Sequence, residues 1–167
     1  MIRTGLAAGL ALALAACATT APVVQAHGPQ AMRYDAAADA STDVDAALVR
    51  AADHGKRVLL VLGANWCHDS TALAGWLETP RFAALVANKY ELVFVNVGMP
   101  QTGDGHNLGV ARRFGLAELP GTPALLVLTP EGKAVNLDTA ASWRNAASRS
   151  EAAIFAELAA LAEQPAP

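Results

Sequence analysis

The chain has 167 residues, which is enough for one domain with a buried core and does not require two. The formal net charge is −3 and only 16% of the residues are charged, so nucleic-acid binding through a strongly basic surface is not expected. Two cysteines are too few for a disulfide scaffold or a four-cysteine zinc site.

The first residues have the pattern of a bacterial export signal. A basic residue precedes an apolar run from Gly5 to Ala16, which is too short to span a bilayer as a permanent helix. Leu14-Ala15-Ala16-Cys17 resembles the bacterial lipobox, which implies cleavage before Cys17 and lipidation of its sulfur. We therefore predict a lipoprotein signal peptide over residues 1–16, with a soluble export signal and an incidental cysteine as the alternative.

A lipid on Cys17 predicts attachment to the periplasmic face of a bacterial membrane. Ala18 favours the outer membrane, because it is not the aspartate that signals inner-membrane retention in many Gram-negative bacteria. Residues 17–40 are rich in Ala, Thr, Pro and Gln without a sustained apolar period, which is typical of a flexible tether. The folded domain is then predicted to cover residues 41–167.

The first predicted element of the domain is a helix. Thr42 and Asp45 have a spacing similar to that of a capping box, and Gly55 is placed to end the helix. Three short apolar runs then predict strands buried on both faces. These runs are Arg57–Leu62, Glu91–Val97 and Ala124–Leu128, and residues 133–137 are a candidate hairpin partner for the third after the turn at residues 129–132.

Helical segments alternate with these strands. One starts near Ser70 and restarts at Thr79-Pro80, with threonine as N-cap and proline as the first helical residue. A short helix is predicted over residues 107–114, and a last one has Ser148 and Glu151 as its capping box. Residues 98–106 and 138–148 are predicted to be irregular. The alternation predicts an α/β domain with a central sheet and helices on both faces.

The residues with the clearest chemistry follow the first strand directly. Cys67 is placed at the start of the next helix, where unpaired N–H groups and the helix dipole favour its reactive thiolate form. His68 adds to this effect when it is protonated, whereas the carboxylate of Asp69 opposes it. The residues alone leave open which neighbour dominates.

At these residues the chain resembles the thioredoxin-like family, over about residues 42–163. The strand at residues 58–62 runs into Trp66-Cys67 as family strands run into a Trp-Cys pair. Leu119-Pro-Gly-Thr-Pro123 resembles the family's cis-proline loop, and residues 130–133 resemble the hairpin turn that follows. The resemblance implies a thioredoxin-like fold, with a central mixed β-sheet flanked by helices on both faces.

The resemblance also implies roles for individual residues. Cys67 would be the attacking thiol, and a cis Pro123 would face it. The backbone of Thr122 would pair with an extended substrate peptide, and Trp66 would flank the substrate groove. No cofactor is implied.

Two departures from the family pattern limit the expected chemistry. The family's second cysteine, three residues after the first, is Ser70 here, and its buried carboxylate is replaced by Val61. A serine can hydrogen-bond a thiolate but cannot resolve a mixed disulfide. We expect a monothiol protein that forms or exchanges mixed disulfides with a cysteine-containing protein or a small thiol through Cys67, assisted by Ser70 and His68. Whether it turns over as an oxidoreductase stays open.

Two other functions stay open on the residues alone. The first is a non-catalytic module that binds peptides or proteins in the same groove. The second is a metal (copper) carrier that uses Cys67, His68, Asp69 and His106. His106 follows the second strand, so the shared edge of parallel strands makes it a candidate to approach Cys67 as a base or a substrate contact. An exposed loop histidine is the simpler interpretation.

Overall fold

The structure is a computed structural model that describes Met1 and residues 28–165. The rest of the predicted signal peptide, the lipidation candidate Cys17 and the first part of the predicted tether lie outside the described residues. These assignments therefore stay predictions. Within residues 28–165, the structure contains no helix that is both long enough and apolar enough to span a bilayer.

Five α-helices and five β-strands are described, together with two 3-10 segments at Pro100–Thr102 and Ala140–Ser148. In chain order they are α1 (Ala40–His54), β1 (Arg57–Gly63), α2 (His68–Glu78), α3 (Pro80–Lys89), β2 (Tyr90–Asn96), β3 (Gly98–Met99), β4 (Asp104–Gly105), α4 (Leu108–Arg113), β5 (Ala124–Leu128) and α5 (Glu151–Glu163). The three predicted apolar strands are confirmed as β1, β2 and β5.

The central sheet has the strand order β2-β1-β5, with β1 parallel to β2 and antiparallel to β5. Helices α1 and α4 cover one face, where alternate β1 side chains such as Leu60 and Leu62 lie in the core. Helices α2, α3 and α5 and the 3-10 helix with Trp143 cover the other face, around Leu59 and Val61. The predicted mixed sheet with helices on both faces is confirmed.

Two helix caps differ from the prediction. Asp39, not Thr42, is the N-cap of α1, and its carboxylate accepts the backbone N–H of Thr42 at 3.1 Å. Ser150, not Ser148, caps α5 by accepting the N–H of Ala153. In both helices the side-chain oxygen of the N-cap residue accepts the backbone N–H of the residue three positions later, which is a spacing typical of helix N-caps. Gly55 ends α1 in the left-handed conformation, as predicted.

The predicted hairpin partner at residues 133–137 does not form a strand. It contributes a single β-bridge between Leu128 and Ala134. Beyond this bridge, the side chain of Asn136 forms hydrogen bonds with the backbone of β5. The Asn136 amide accepts the N–H of Val127 at 2.8 Å and donates to the carbonyl of Leu125 at 2.9 Å. The two predicted irregular segments contain regular structure, namely the β3-β4 hairpin and the 3-10 helix Ala140–Ser148.

The second half of the predicted tether lies against the domain. Residues 28–39 precede α1, and Tyr34 within them is 1% exposed. The backbone N–H of Ala31 donates to the carbonyl of Thr71 in α2 at 2.9 Å. Buried aromatic surface and backbone hydrogen bonds hold this segment, so a flexible tether does not describe residues 28–39.

Glu91 in β2 links the sheet to α1. It accepts hydrogen bonds from Arg50 at 2.9 Å and from Lys56 at 3.3 Å, with His54 at 3.3 Å. The hydrogen bond from Arg50 is the main cause that lowers the pKa of Glu91 from 4.5 to about 2. Because the pKa is lower in the folded state, this stabilisation is present above about pH 4.5 and is lost as the pH falls towards 2.

Glu91→Gln is expected to lower the free energy of unfolding at neutral pH by about 1 kcal/mol, which allows for solvent screening of the exposed partners. The difference from wild type should shrink as the pH falls towards the pKa of Glu91. Urea denaturation at neutral and acidic pH measures both effects. Glu163→Gln, which removes an exposed ion pair with Lys89, is the matched control and should show no measurable change. An equal loss at both pH values for Glu91→Gln would contradict this account.

Candidate functional site

Cys67 lies between the end of β1 and the start of α2. It is the N-cap residue of α2, and its extended backbone (φ −87°, ψ 118°) turns the chain from the sheet edge into the helix. The residue is 8% exposed, and its thiol donates a hydrogen bond to the carbonyl oxygen of Thr122 at 3.3 Å. The thiol therefore lies directly against the segment that precedes β5.

That facing segment is formed by Thr122 and Pro123. Both residues are buried, and the peptide bond between them is cis. The hydroxyl of Thr122 has no hydrogen-bond partner in the described part of the chain. A buried polar group without a partner costs free energy, so this hydroxyl is a destabilising feature of the segment.

Ser70 is the second hydroxyl of the site. It lies in the first turn of α2, is fully buried, and its Oγ also lacks a hydrogen-bond partner among residues 28–165. Two buried hydroxyls without partners thus lie on the two segments that contact each other through Cys67. Neutral hydroxyls of this kind can donate to a negatively charged sulfur.

Tyr34 lies beneath this turn. Its hydroxyl donates to the carbonyl oxygen of Ser70 at 3.1 Å, and its ring borders Gly63 at the end of β1. Burial raises the pKa of Tyr34 far above its usual value, and the nearby Cys67 adds to this shift when it is charged. Tyr34 is therefore a protonated hydrogen-bond donor at any pH that the folded protein meets.

His68 and Asp69, which follow Cys67 in sequence, contact different parts of the structure. His68 is exposed, and its Nδ1 lies 3.0 Å from the side-chain amide nitrogen of Gln30. The carboxylate of Asp69 accepts the backbone N–H of Ala147 at 2.8 Å, which ties the start of α2 to the 3-10 helix. Asp69 thus has a structural role in addition to the charge that it places near the thiol.

Trp66 forms an exposed rim beside the thiol. It is 53% exposed, although its indole N–H donates to the carbonyl of Gly98 at 3.0 Å. Met32 and Met99 are exposed by 75% and 40%. Met32 and Trp66 line the same shallow groove of about 260 Å³, and Met99 follows the residue that Trp66 contacts. Met32 and Trp66 therefore offer exposed apolar surface in a groove next to the turn that carries Cys67.

His106 is exposed and packs against Gly98, the residue whose carbonyl Trp66 contacts. None of the described hydrogen bonds joins His106 to Cys67. The four candidate metal ligands Cys67, His68, Asp69 and His106 are not brought together either, because no cluster of three or more such side chains occurs in the described ranges.

The structure adds four residues that the sequence pattern did not reveal. Tyr34 is held by Asn65 and Asn96, and Gly63 leaves the space that its ring fills. Two features of the sequence could have indicated these contacts. They are the isolated Tyr34 in a segment with a linker-like composition and Gly63 at the end of a buried strand. A glycine at such a position often marks the close approach of another group.

Comparisons with known proteins agree with this fold. A family model described as thioredoxin-like matches residues 39–130, which is more than half of the chain and includes Cys67, Thr122 and Pro123. A crystal structure described as a disulphide isomerase from Xylella fastidiosa Temecula1 is 34% identical to this chain. It covers 80% of this chain and 98% of its own, with a TM-score of 0.72.

A solution structure of a thioredoxin from Thermus thermophilus is 21% identical, covers 71% of this chain and 83% of its own, and has a TM-score of 0.49. No curated protein matches the chain.

The position of Asp69 allows its charge to be separated from its hydrogen bond. Asp69→Asn keeps an acceptor for the N–H of Ala147 but removes the negative charge, so the alkylation rate of Cys67 at neutral pH should rise about threefold. Asp69→Ala is the control for the hydrogen bond and should lower the free energy of unfolding by about 1 kcal/mol. An unchanged rate in Asp69→Asn would show that the carboxylate has no electrostatic effect on the thiol.

Proposed function

This chain belongs to the thioredoxin-like family, and we propose that it forms and exchanges mixed disulfides through Cys67 with cysteine-containing proteins or small thiols. We also propose that it does so while anchored by a lipid to the periplasmic face of a bacterial membrane. The observation that carries the first proposal is the hydrogen bond between the Cys67 thiol and the Thr122 carbonyl. In this proposal Cys67 is the nucleophile at a helix start, and the segment opposite it holds the partner.

The proposed reaction is thiol–disulfide exchange. The thiolate of Cys67 attacks one sulfur of a partner disulfide, a new S–S bond forms, and the other partner sulfur leaves as a thiolate. The reverse reaction releases the partner when another thiol attacks the mixed disulfide. No net oxidation occurs in either step, so no cofactor is needed.

Loss of the thiol proton changes the hydrogen bonding of the opposite segment. The Cys67 S–H group donates to the Thr122 carbonyl, whereas a thiolate has no proton to donate. The carbonyl has a second lone pair and can accept an N–H group of an extended partner segment in either state of the thiol.

Ser70 supports the thiolate but cannot complete a dithiol cycle. Its buried hydroxyl has no partner among the described residues and can donate to a charged sulfur. Within residues 28–165, Cys67 is a free cysteine with no second thiol beside it. A mixed disulfide on Cys67 therefore persists until a separate thiol resolves it.

Two further observations support the class of chemistry and the location. The related Xylella fastidiosa structure is described as a disulphide isomerase, which is consistent with exchange rather than net oxidation. The export pattern of residues 1–16 and the lipobox that ends at Cys17 support the membrane location. The periplasm is an oxidising compartment, in which partner disulfides are available.

Exposed apolar side chains at the site favour a second candidate function, binding without exchange. Met32, Trp66 and Met99 offer contact area that does not depend on the thiol. Capture of a partner by this function would survive Cys67→Ser, whereas capture through a mixed disulfide would be lost.

The exchange function is tested with glutathione disulfide on the full-length chain carrying Cys17→Ser, so that Cys67 is the sole thiol. The expected product is a glutathione adduct on Cys67, detected by mass spectrometry. Cys67→Ala should abolish the adduct. An adduct that persists in that variant, or a wild-type thiol that forms none, would contradict the proposal.

The role of the missing second cysteine is tested by Ser70→Cys in the same background. A thiol three residues away attacks the adduct intramolecularly, so the lifetime of the adduct should fall at least about tenfold. Ser70→Ala is the matched control, since it removes the hydroxyl without adding a thiol and should leave the adduct long-lived. Equal lifetimes in both variants would show that residue 70 does not reach the mixed disulfide.

A further inference from the structure

Residues 28–35 form a short segment, here termed the N-terminal strap, that runs along α2 beside the thiol. The strap makes a backbone hydrogen bond from Ala31 to Thr71 at 2.9 Å and a side-chain contact from Gln30 to His68 at 3.0 Å. An ion pair joins Arg33 to Glu78 at the other end of the helix. The strap is therefore attached along the whole length of α2.

Tyr34 is the most strongly held residue of the strap. Its backbone N–H donates to the side-chain oxygen of Asn65 at 3.1 Å, and the Asn65 amide donates back to the Tyr34 carbonyl at 3.0 Å. Asn96, at the end of β2, donates to the same carbonyl at 3.0 Å. Asn65 precedes Cys67 by two residues, so these bonds connect the strap to the loop that carries the thiol.

The side chain of Tyr34 reaches the other end of the same turn. Its hydroxyl donates to the Ser70 carbonyl at 3.1 Å, while its ring packs edge-on against Phe94 with centroids 5.4 Å apart. Tyr34 thus contacts the chain both before and after Cys67. The thiol lies in a turn of which both flanks are fixed by one buried residue.

Two glycines of the domain leave room for the strap. A Cβ atom at Gly63 would lie 2.5 Å from the Tyr34 ring, and a Cβ atom at Gly75 would overlap the backbone carbonyl of Pro29. Gly75 lies in the middle of α2, where glycine costs about 1 kcal/mol relative to alanine. The approach of the strap gives the physical reason for this glycine.

We infer that the N-terminal strap is a working part of the thiol site, and that Tyr34 is a positioning residue that holds the turn carrying Cys67 and Ser70. This inference rests on the proposed exchange function, to which it adds a residue outside the part of the chain that the family model matches. Tyr34 acts through the backbone of the turn and needs no contact with a partner.

The strap restrains the first turn of α2 and keeps that turn ordered. Cys67 is the N-cap residue of this turn, although its thiol makes no capping hydrogen bond and donates to the Thr122 carbonyl instead. A turn fixed at Asn65 and at Ser70 keeps the sulfur at the positive end of the helix dipole. When the hydroxyl of Tyr34 is removed, the turn gains freedom and the thiolate loses part of its stabilisation.

The test compares Tyr34→Phe and Gly75→Ala with Gly109→Ala, all in the chain carrying Cys17→Ser. Tyr34→Phe keeps the ring and removes the hydroxyl, whereas Gly75→Ala displaces the strap without changing any of its residues. Gly109, in α4, has open space around its Cβ position and is the matched control. The readouts are the iodoacetamide alkylation rate of Cys67 across pH and the rate of adduct formation with glutathione disulfide.

Both site variants should react about fivefold more slowly at neutral pH, and the pH at half-maximal alkylation rate should rise in Tyr34→Phe. Gly109→Ala should match the wild type. A role in stability alone would lower the melting temperature and leave the pH profile in place, which would overturn the inference. Faster alkylation would also overturn it, because the strap would then shield the thiol.

The outcome is separable from that of the exchange proposal. If the wild type forms no glutathione adduct, the exchange function fails. Alkylation by iodoacetamide involves no disulfide and still decides whether the strap positions the thiol.

Discussion

The pairing of strand β1 on both of its edges is the constraint on which the site depends. Gly63 at its carboxyl end pairs with Asn96 of β2, and Leu62 pairs with Ala124 of β5. Because β5 runs antiparallel to β1, the residues just before β5 lie beside the residues just after β1. This register brings the Thr122 carbonyl within 3.3 Å of the Cys67 thiol. Full burial of β1 on both faces makes a shift of register costly, since a slip by one residue would exchange the two core faces.

The same sheet edge organises the second layer of the site. The parallel pairing of β1 with β2 places Asn96 next to the loop after β1, where it holds the Tyr34 carbonyl at 3.0 Å. The chain that follows β2 supplies the Gly98 carbonyl, which fixes the Trp66 indole. Three separate segments and the N-terminal strap therefore meet at one end of the sheet, and each is held by hydrogen bonds to backbone groups. Such an arrangement keeps a buried thiol in place.

The chemistry that this arrangement supports is that of one thiol. The Cys67 thiol donates to the Thr122 carbonyl, and the described residues supply no second sulfur beside it. The site is thus suited to forming a mixed disulfide that a thiol of another molecule resolves. A lipid anchor and an oxidising compartment would place such a thiol near partner disulfides, and these assignments rest on the export pattern of the sequence.

The sequence by itself indicated the thioredoxin-like fold, because short continuous apolar runs, a Trp-Cys pair after the first strand and the Thr122-Pro123 loop are local patterns. It also placed Cys67 at a helix start and Thr122-Pro123 before the last strand. It predicted Thr42 as the cap of α1, whereas Asp39 caps that helix by accepting the N–H of Thr42. Tertiary structure alone decided the role of Tyr34, whose partners Asn65, Ser70 and Asn96 are 31, 36 and 62 residues away. No local pattern records such contacts, since they exist only once the sheet has brought these segments together.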